Sequence, residues 1–423
     1  MQNETSTTSG PYFAPGSPST HANGVLYQGD FQHPADGSAA AVRLHARALA
    51  AQGVPVLLRA ISATVLAESG AAEPLFAGLP KTVHDEIWDL TQTSISKLNP
   101  SIRHLIIHKP EDLRRLLLRG TTSPLDSVEN QMVARKVVYG SSVVYSVWER
   151  DRIDSQMSKE LSSVLENWVP CEQNADMLRA CGVQNVFVVP HPFDPAGVLP
   201  KFTQRQVRAY KGVDLRKRRF YSIGRWEPRK NQHGLLRAFC AAFHPDDDVS
   251  LTLKWHGFWR DYAPFEVVIS QLEEQFPIWR GRTRERITTH PSHLPADQIL
   301  RLHFENNIYL APSCGEAWCL PAFEAKVAGN RLIHTPYGGT RDFAGDADFD
   351  LPFELEAVPA SYGWPEGSQW ARPDHDALVA ALRAAQVPER FERSADFEAR
   401  FNLQAVGRRM RTRLQELTGA PWL

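Results

Sequence analysis

The feature that most constrains this chain is an alternation of strand and helix that runs through it twice. From Gly24 onward, short apolar runs of strand length alternate with amphipathic stretches of helical length. GVLYQGDF predicts a buried strand. After the polar turn HPADGS, the stretch AAAVRLHARALAAQG has helical apolar spacing and stops at Gly53. VPVLLRA, HLIIHK (104–109), VVYGSSVVYSVW (137–148), NWVPC (167–171) and NVFVVPH (185–191) predict further strands. The segment PHPFDPAGVLP (190–200), with four prolines and a glycine, interrupts any regular element. Beyond it the plan repeats. RFYSIGR (219–225), VSLTLKWHG, RITTHPSHL, NIYLAPS (307–313) and RLIHTPYGG (331–339) read as strands. KNQHGLLRAFCAAF (230–243), DYAPFEVVISQLEEQF, PADQILRLHF and LPAFEAKVAG (320–329) read as helices between them. Such a pattern calls for parallel sheets covered by helices on both faces.

The length of 423 residues exceeds one ordinary core and suits two domains of roughly 200 residues each. Residues 1–23, rich in Ser, Thr, Gly and Pro, read as a flexible tail. Residues 24–195 and 196–400 read as two doubly wound α/β domains. LQAVGRRMRTRLQEL, within 401–423, reads as a closing basic amphipathic helix with the length to cross back to the first domain. Ligands of such folds bind at the carboxyl ends of the strands, so the expected site is a cleft between the domains. G-x-G-x-x-G and G-x-x-x-x-G-K-[ST] are both absent, which argues against a dinucleotide oxidoreductase and a P-loop NTPase. No apolar run reaches about 18 residues, and the N-terminus lacks the pattern of a secretory signal. Five cysteines, with no C-x-x-C, fit free thiols in a reducing compartment. The expected location is cytoplasmic, with a peripheral contact at the inner membrane face as an extension.

Three segments carry chemistry. SCGEAWCLPAFEAKVAG (313–329) ends a strand, turns at Gly315, presents Glu316, and starts a helix with Glu324 about one turn in. A helix N-terminus offers unpaired N–H groups and partial positive charge to a phosphate. A carboxylate one turn in can accept from a vicinal diol. SIGRWEPRKN (222–231) ends another strand and places Arg225 and Lys230 around a turn, where both can converge on one anion. TPYGGTRDF (335–343) puts Gly338 and Gly339 after a third strand, where a ligand can approach the backbone closely.

Together these three segments resemble the donor domain of the family 4 retaining glycosyltransferases (glycosyl transferases group 1), which have the GT-B fold. The resemblance covers most of the chain and includes YSVWERDRID (145–154) and the run 167–194 through the domain junction. It implies two Rossmann-like domains facing across a cleft. It implies that Arg225 and Lys230 bind the donor diphosphate, that Glu316 faces the donor sugar and that Glu324 faces the nucleotide ribose. Ala317, Trp318, Cys319, Leu320, Gly338 and Gly339 complete the implied donor site. The chain departs from the family where Ala317 and Cys319 stand in place of frequent glycines, and where Asp342 replaces the usual Glu.

The implied reaction moves a hexosyl unit from a UDP- or GDP-linked sugar to an acceptor hydroxyl, with retention. The nucleotide sugar is a co-substrate, and no cofactor or metal is expected, because the two cations and a helix N-terminus can stabilise the departing phosphate. The acid run Asp246, Asp247 and Asp248 reads as a solvated loop. The expected acceptor is a glycan or glycolipid. Gly37, Ser38, His108, Trp148 and Glu149, at strand ends of the first domain, are its candidate contacts, and His191 is a hinge or cleft candidate. The formal net charge of −1 hides a basic stretch: residues 201–230 hold eleven Lys or Arg against Asp214 and Glu227, a net of +9. That stretch, and the segment LRRLLLR (113–119), motivate a peripheral contact with a membrane or polyanion. Two other readings stay open. One is transfer to a hydroxylated nucleic-acid base, with nucleic acid the less favoured partner. The other is a non-catalytic sugar-nucleotide-binding protein.

Overall fold

The computed structural model describes residues 24–29, 37–54, 56–59, 102–108, 142–193, 216–387 and 393–418. The expected tail (1–23), the segment 113–119 and residues 201–215 of the basic stretch lie outside the described residues.

The first sheet contains β1 (Gly24–Gln28), β2 (Val56–Arg59), β3 (Ile102–His108), β4 (Ser142–Tyr145), β5 (Glu166–Val169) and β6 (Val186–Val188). Every pairing is parallel, in the order β2-β1-β3-β4-β5-β6. Helices α1 (Gly37–Ala50), α2 (Ser155–Ser163) and α3 (Glu172–Ala180) pack on it. All four residues of β4 and of β5 are buried, so neither strand alternates between a covered and a solvent face.

The second sheet contains β7 (Arg218–Trp226), β8 (Val249–Phe258), β9 (Ile287–His290), β10 (Ile308–Ala311), β11 (Arg331–His334) and β12 (Phe349–Asp350). It is also parallel, in the order β12-β11-β10-β7-β8-β9. Its helices are α4 (Gln232–Ala242), α5 (Phe265–Gln275), α6 (Thr283–Arg286), α7 (Ala296–Glu305), α8 (Leu320–Val327) and α9 (Thr340–Phe343). An antiparallel hairpin, β13 (Phe353–Ala357) with β14 (Gln369–Pro373), follows outside both sheets. Three helices end the described chain: α10 (His375–Ala384), α11 (Ala395–Phe401) and α12 (Leu403–Thr418).

Strand order locates the crevices. In the second sheet the chain winds outward from β7 through β9, then restarts at β10 and winds the other way. The switch point lies between β7 and β10, and loops leaving their carboxyl ends diverge to leave an opening. In the first sheet the equivalent point lies between β1 and β3. Gly29, just after β1, keeps that opening tight: a Cβ there would meet Val42 Cγ2 at 2.7 Å and His108 Cβ at 3.0 Å.

The last helix belongs to the first core. Val406, Met410 and Leu414 of α12 are buried with Val25, Val42, Leu49 and Ile106. A Cβ on Gly407 would lie 2.1 Å from the Ala48 carbonyl oxygen, so only glycine lets α12 lie this close to α1. The return is anchored where Phe193 pairs with Asn402 and the Phe193 amide donates to the Phe401 carbonyl at 2.8 Å.

Candidate functional site

The strongest cluster of buried charge sits at the second switch point. After β7, a 3-10 turn (Pro228–Lys230) leads through Asn231, held at φ 53°, into α4. Lys230 Nζ donates to Glu316 Oε1 at 2.6 Å. Glu316 follows β10, is 6% exposed, and bridges by its backbone to Gly338 after β11. Three strand ends thus meet on one carboxylate. The lysine stem packs against Gly224: a Cβ there would lie in ordinary contact, 3.5 Å from Lys230 Cδ.

The second cation on Glu316 is Arg229. Its guanidinium is 4% exposed and lies 3.4 Å from Glu316 Oε2, 2.9 Å from Glu149 Oε1 and 2.5 Å from Glu227 Oε1. It also donates to the Gly315 carbonyl at 2.7 Å. Arg225, paired with Lys230 in the sequence reading, is exposed, with its Nε near Gly257. A strand alternates its side chains; Arg225, still on β7, faces solvent, while the turn after the strand rotates Arg229 inward.

Burial pushes the Glu316 carboxyl up, but Lys230 and Arg229 outweigh it and hold the group below the ordinary carboxylate range. Burial likewise pulls Lys230 down, and Glu316 outweighs it, so the ammonium titrates above its ordinary value. Both stay charged at neutral pH. One Lys230 N–H donates to Glu316, which leaves two donors for an incoming anion.

The glycines are steric requirements. Gly338 has φ 94°, and a Cβ there would fall 1.6 Å from the Glu316 carbonyl oxygen. A Cβ on Gly339 would lie 2.7 Å from both the Ala317 oxygen and Trp318 Cα. The Ala317 carbonyl accepts from the Gly339 amide at 3.1 Å and from Cys171 Sγ at 3.2 Å. Cys319 takes φ 67° and ψ 68°, the left-handed region that side chains avoid. The glycine usual there in the resembling family would adopt this conformation without strain. Leu320 opens α8.

Glu324 lies on the exposed side of α8, where His303 Nε2 approaches its Oε2 at 3.3 Å. The buried His303 ring is oriented from behind. Asn330 Nδ2 donates to Tyr221 Oη at 2.7 Å, and that hydroxyl lies 2.8 Å from His303 Nδ1. With Asn330 donating, the tyrosine donates to Nδ1, and the Nε2 proton points at Glu324.

The first domain closes the cleft with a neutral wall. Gly37, the first residue of α1, faces Leu320: a Cβ on Gly37 would lie 3.3 Å from Leu320 Cδ1. The starts of α1 and α8 therefore oppose each other, both with the positive end of the helix dipole. Ser38 follows Gly37 in the first turn of α1. His108, at the end of β3, is buried and stacks on Tyr145 at 5.1 Å. Trp148 is buried rather than open to a ligand, because its Nε1 donates to Ser146 Oγ and its amide to Asn174 Oδ1. Glu149 reaches across to Arg229, and its carbonyl lies where a Cβ on Gly315 would stand, at 2.7 Å. His191 is buried at the junction and meets Trp318 edge-on at 5.7 Å.

Solved structures superpose on nearly the whole chain. A sucrose-phosphate synthase from Thermosynechococcus elongatus matches with a TM-score of 0.60 and 15% identity, covering 94% of this chain and 99% of that one. Trehalose-6-phosphate synthase OtsA matches with a TM-score of 0.58 and 10% identity, covering 93% and 99%. Anabaena HepE in complex with UDP and glucose matches with a TM-score of 0.50 and 13% identity, covering 93% and 99%. The chain has the GT-B fold. No family model and no curated protein sequence matches it.

Within the GT-B cleft, Glu172 and Gln173, which sequence reasoning missed, tie the domains together with Gly338 and Asp342, which it named. Gln173 Oε1 accepts the Gly338 amide at 2.6 Å, and Asp342 Oδ2 accepts the Glu172 amide at 3.2 Å. Burial raises the Asp342 carboxyl. Arg229 was in view in the motif WEPRKN, but its partners Glu149 and Glu316 lie 80 and 87 positions away. No local pattern marks such a cluster. The acid run behaves as a surface loop: Asp246 pairs with Arg282 and Asp248 with Lys217. Among the described residues no helix is long and apolar enough to cross a membrane.

Proposed function

We propose that this chain is a retaining, metal-independent hexosyltransferase that moves a sugar from a UDP- or GDP-linked donor to a hydroxyl of a glycan or glycolipid. The observation that carries this reading is the Lys230–Glu316 pair at the switch point of the second sheet, with the Gly338 backbone against it. A nucleoside diphosphate leaving group accumulates charge on its terminal phosphate. Lys230 and the opposed starts of α1 and α8 supply fixed positive potential there without a metal ion. Arg225, exposed on the same strand end, is free to close on the diphosphate once donor is present. Glu316 accepts from donor-sugar hydroxyls, and Glu324, with its His303 brace, accepts from the ribose diol. The structural neighbour solved with UDP and glucose supports a uridine donor.

The test is a thermal-shift screen with UDP-, GDP- and ADP-sugars, because donor that binds only the folded state must raise the melting temperature. One sugar nucleotide should raise it, and Lys230→Ala should remove the shift. Turnover should persist in EDTA, and proton NMR of the first product should show the donor's anomeric configuration. No shift with any donor rejects the reading. Inverted product rejects retention, and strict dependence on added Mn²⁺ rejects the metal-free route.

A further inference from the structure

The hairpin β13–β14 carries a loop, 358–368, that reaches the other domain. Arg152 Nη1 donates to the Glu366 carbonyl at 3.4 Å, and a Cβ on Gly367 would lie 2.9 Å from that nitrogen. The hairpin also runs beside the charged cluster. The Ala371 amide donates to the Cys314 carbonyl at 2.7 Å, and Tyr362 Oη accepts the Arg229 amide at 2.9 Å. The loop therefore stands at the cleft mouth, one residue from Lys230.

Its side chains are aromatic and only partly covered. Tyr362 stacks on Trp259 with centroids 4.3 Å apart and planes at 16°. Trp364 packs edge-on against Tyr362 at 5.4 Å. Trp259, Tyr362 and Trp364 are all part-exposed, whereas Trp148 and Trp370 beside them are buried. Between the domains lies Arg150, its guanidinium 5.3 Å from the Trp148 ring and 6.0 Å from the Trp364 ring. Among the described residues no hydrogen bond or ion pair engages that guanidinium. Its in-plane N–H donors thus have no acceptor among the described residues.

Part-open indoles beside an unclaimed planar donor match one ligand class well. A pyranose has C–H bonds on its ring face, which pack on aromatic surface, and hydroxyls at its edge, which accept from a guanidinium. We propose that Trp259, Tyr362, Trp364 and Arg150 form a subsite for a neutral pyranose unit of the acceptor, with Trp364 as its stacking surface. This rests on the glycosyltransferase reading and extends it to the acceptor side. Neither rival for the same residues predicts sugar binding: a bare strap between domains needs no exposed ring, and an anion site needs no stacking surface.

The experiment uses the full chain, with UDP present, on a printed array of neutral and anionic oligosaccharides, and measures the UDP thermal shift in parallel. Wild type should bind neutral pyranosyl spots. Trp364→Ala should weaken that binding about tenfold, with the UDP shift intact. Trp364→Phe, which keeps a ring, should hold most of it. Retained binding in Trp364→Ala, binding to anionic spots alone, or binding to no spot overturns the subsite. An equal loss in both variants, or a loss that comes with a lowered melting temperature, makes the loop a strap and also overturns it. Absence of the UDP shift in wild type would instead reject a uridine donor, and the array result would stand separately.

Discussion

The two walls of the cleft solve the same burial problem in opposite ways. On the first domain, Tyr27, His45, His108, Tyr145 and His191 are all at most 2% exposed, and burial favours the uncharged forms of Tyr27, His45, Tyr145 and His191. Hydrogen bonds within the wall hold three of them: Tyr27 Oη lies 3.2 Å from His45 Nδ1, His45 Nε2 lies 3.3 Å from the Pro190 carbonyl, and Tyr145 Oη donates to the Val189 carbonyl at 2.9 Å. Burial holds His45 down to about 4 and His191 well below its ordinary value. On the second domain, Glu227, Arg229 and Glu316 are nearly as deeply buried but are joined by ion pairs. A buried polar group must be hydrogen-bonded, and a buried charge must also be paired. The neutral wall can offer shape and hydrogen bonds to an uncharged sugar. The ionic wall can exchange one of its internal carboxylates for an external phosphate.

The difference predicts unequal fragility. Arg229→Met leaves three carboxylates with Lys230 alone and should cost about 3–5 kcal/mol of stability by denaturant unfolding. Adding Glu227→Gln should recover part of that. A cost under about 1 kcal/mol would mean that the cluster is solvated and the contrast between walls is false. His45→Leu, on the neutral wall, strands only the Pro190 carbonyl, because Tyr27 Oη keeps His108 Nδ1 at 3.4 Å, and should cost about 1–3 kcal/mol.

Acid titration separates the walls again. His45 has a folded value lowered to about 4. Below the ordinary histidine value of about 6.5, the unfolded chain takes up a proton that the folded chain refuses, so stability falls with pH from there. Glu316 is also lowered in the fold, so its contribution is present above the ordinary carboxylate range and is lost only as pH falls through that range. Stability should therefore decline in two stages, with the neutral wall first, and His45→Leu should flatten the first stage. Acid denaturation monitored by circular dichroism reads both.

The smallest effect belongs to Cys319. Replacement by Gly relieves about 1–2 kcal/mol of left-handed strain. It also loosens the unfolded chain by about 0.5–1 kcal/mol and deletes a buried side chain, so the melting temperature should shift little. Burial pushes the Cys171, Cys240, Cys314 and Cys319 thiols up to about 12. In native protein iodoacetamide should reach the part-exposed Cys181 first, as peptide mapping would show.

All strands of both sheets but the two-residue edge strand β12 were legible, and the clearest were those buried on both faces, which leave an uninterrupted apolar run, as in IYLA of β10. Lys230 and Glu316 were legible because each follows such a run at a strand-to-helix turn. The hairpin β13–β14 was not: FELEA exposes Glu354 and Leu355 in succession and QWARP ends in proline, so neither looks like a sheet strand, and only their mutual pairing makes them one. Arg229 was invisible because its selection over Arg225 depends on which way a turn rotates. The neutral wall was invisible for another reason. His45, His108 and His191 each read as an isolated histidine, and only the fold stacks His45 on His191 at 5.1 Å.

The seating of α12 in the first core fixes a timetable for synthesis. Val25 and Leu49 emerge from the ribosome early, yet the residues that cover them, Val406, Met410 and Leu414, are nearly the last of the described chain to be made. About 350 residues separate α1 from α12, roughly 20–70 s of elongation at ordinary rates. Throughout that interval the first domain carries an open apolar face along α1. The second domain can complete its sheet before the first can complete its core, so this protein matures from its middle outward, and its amino-terminal half is the part that most needs shielding while the chain is still being extended.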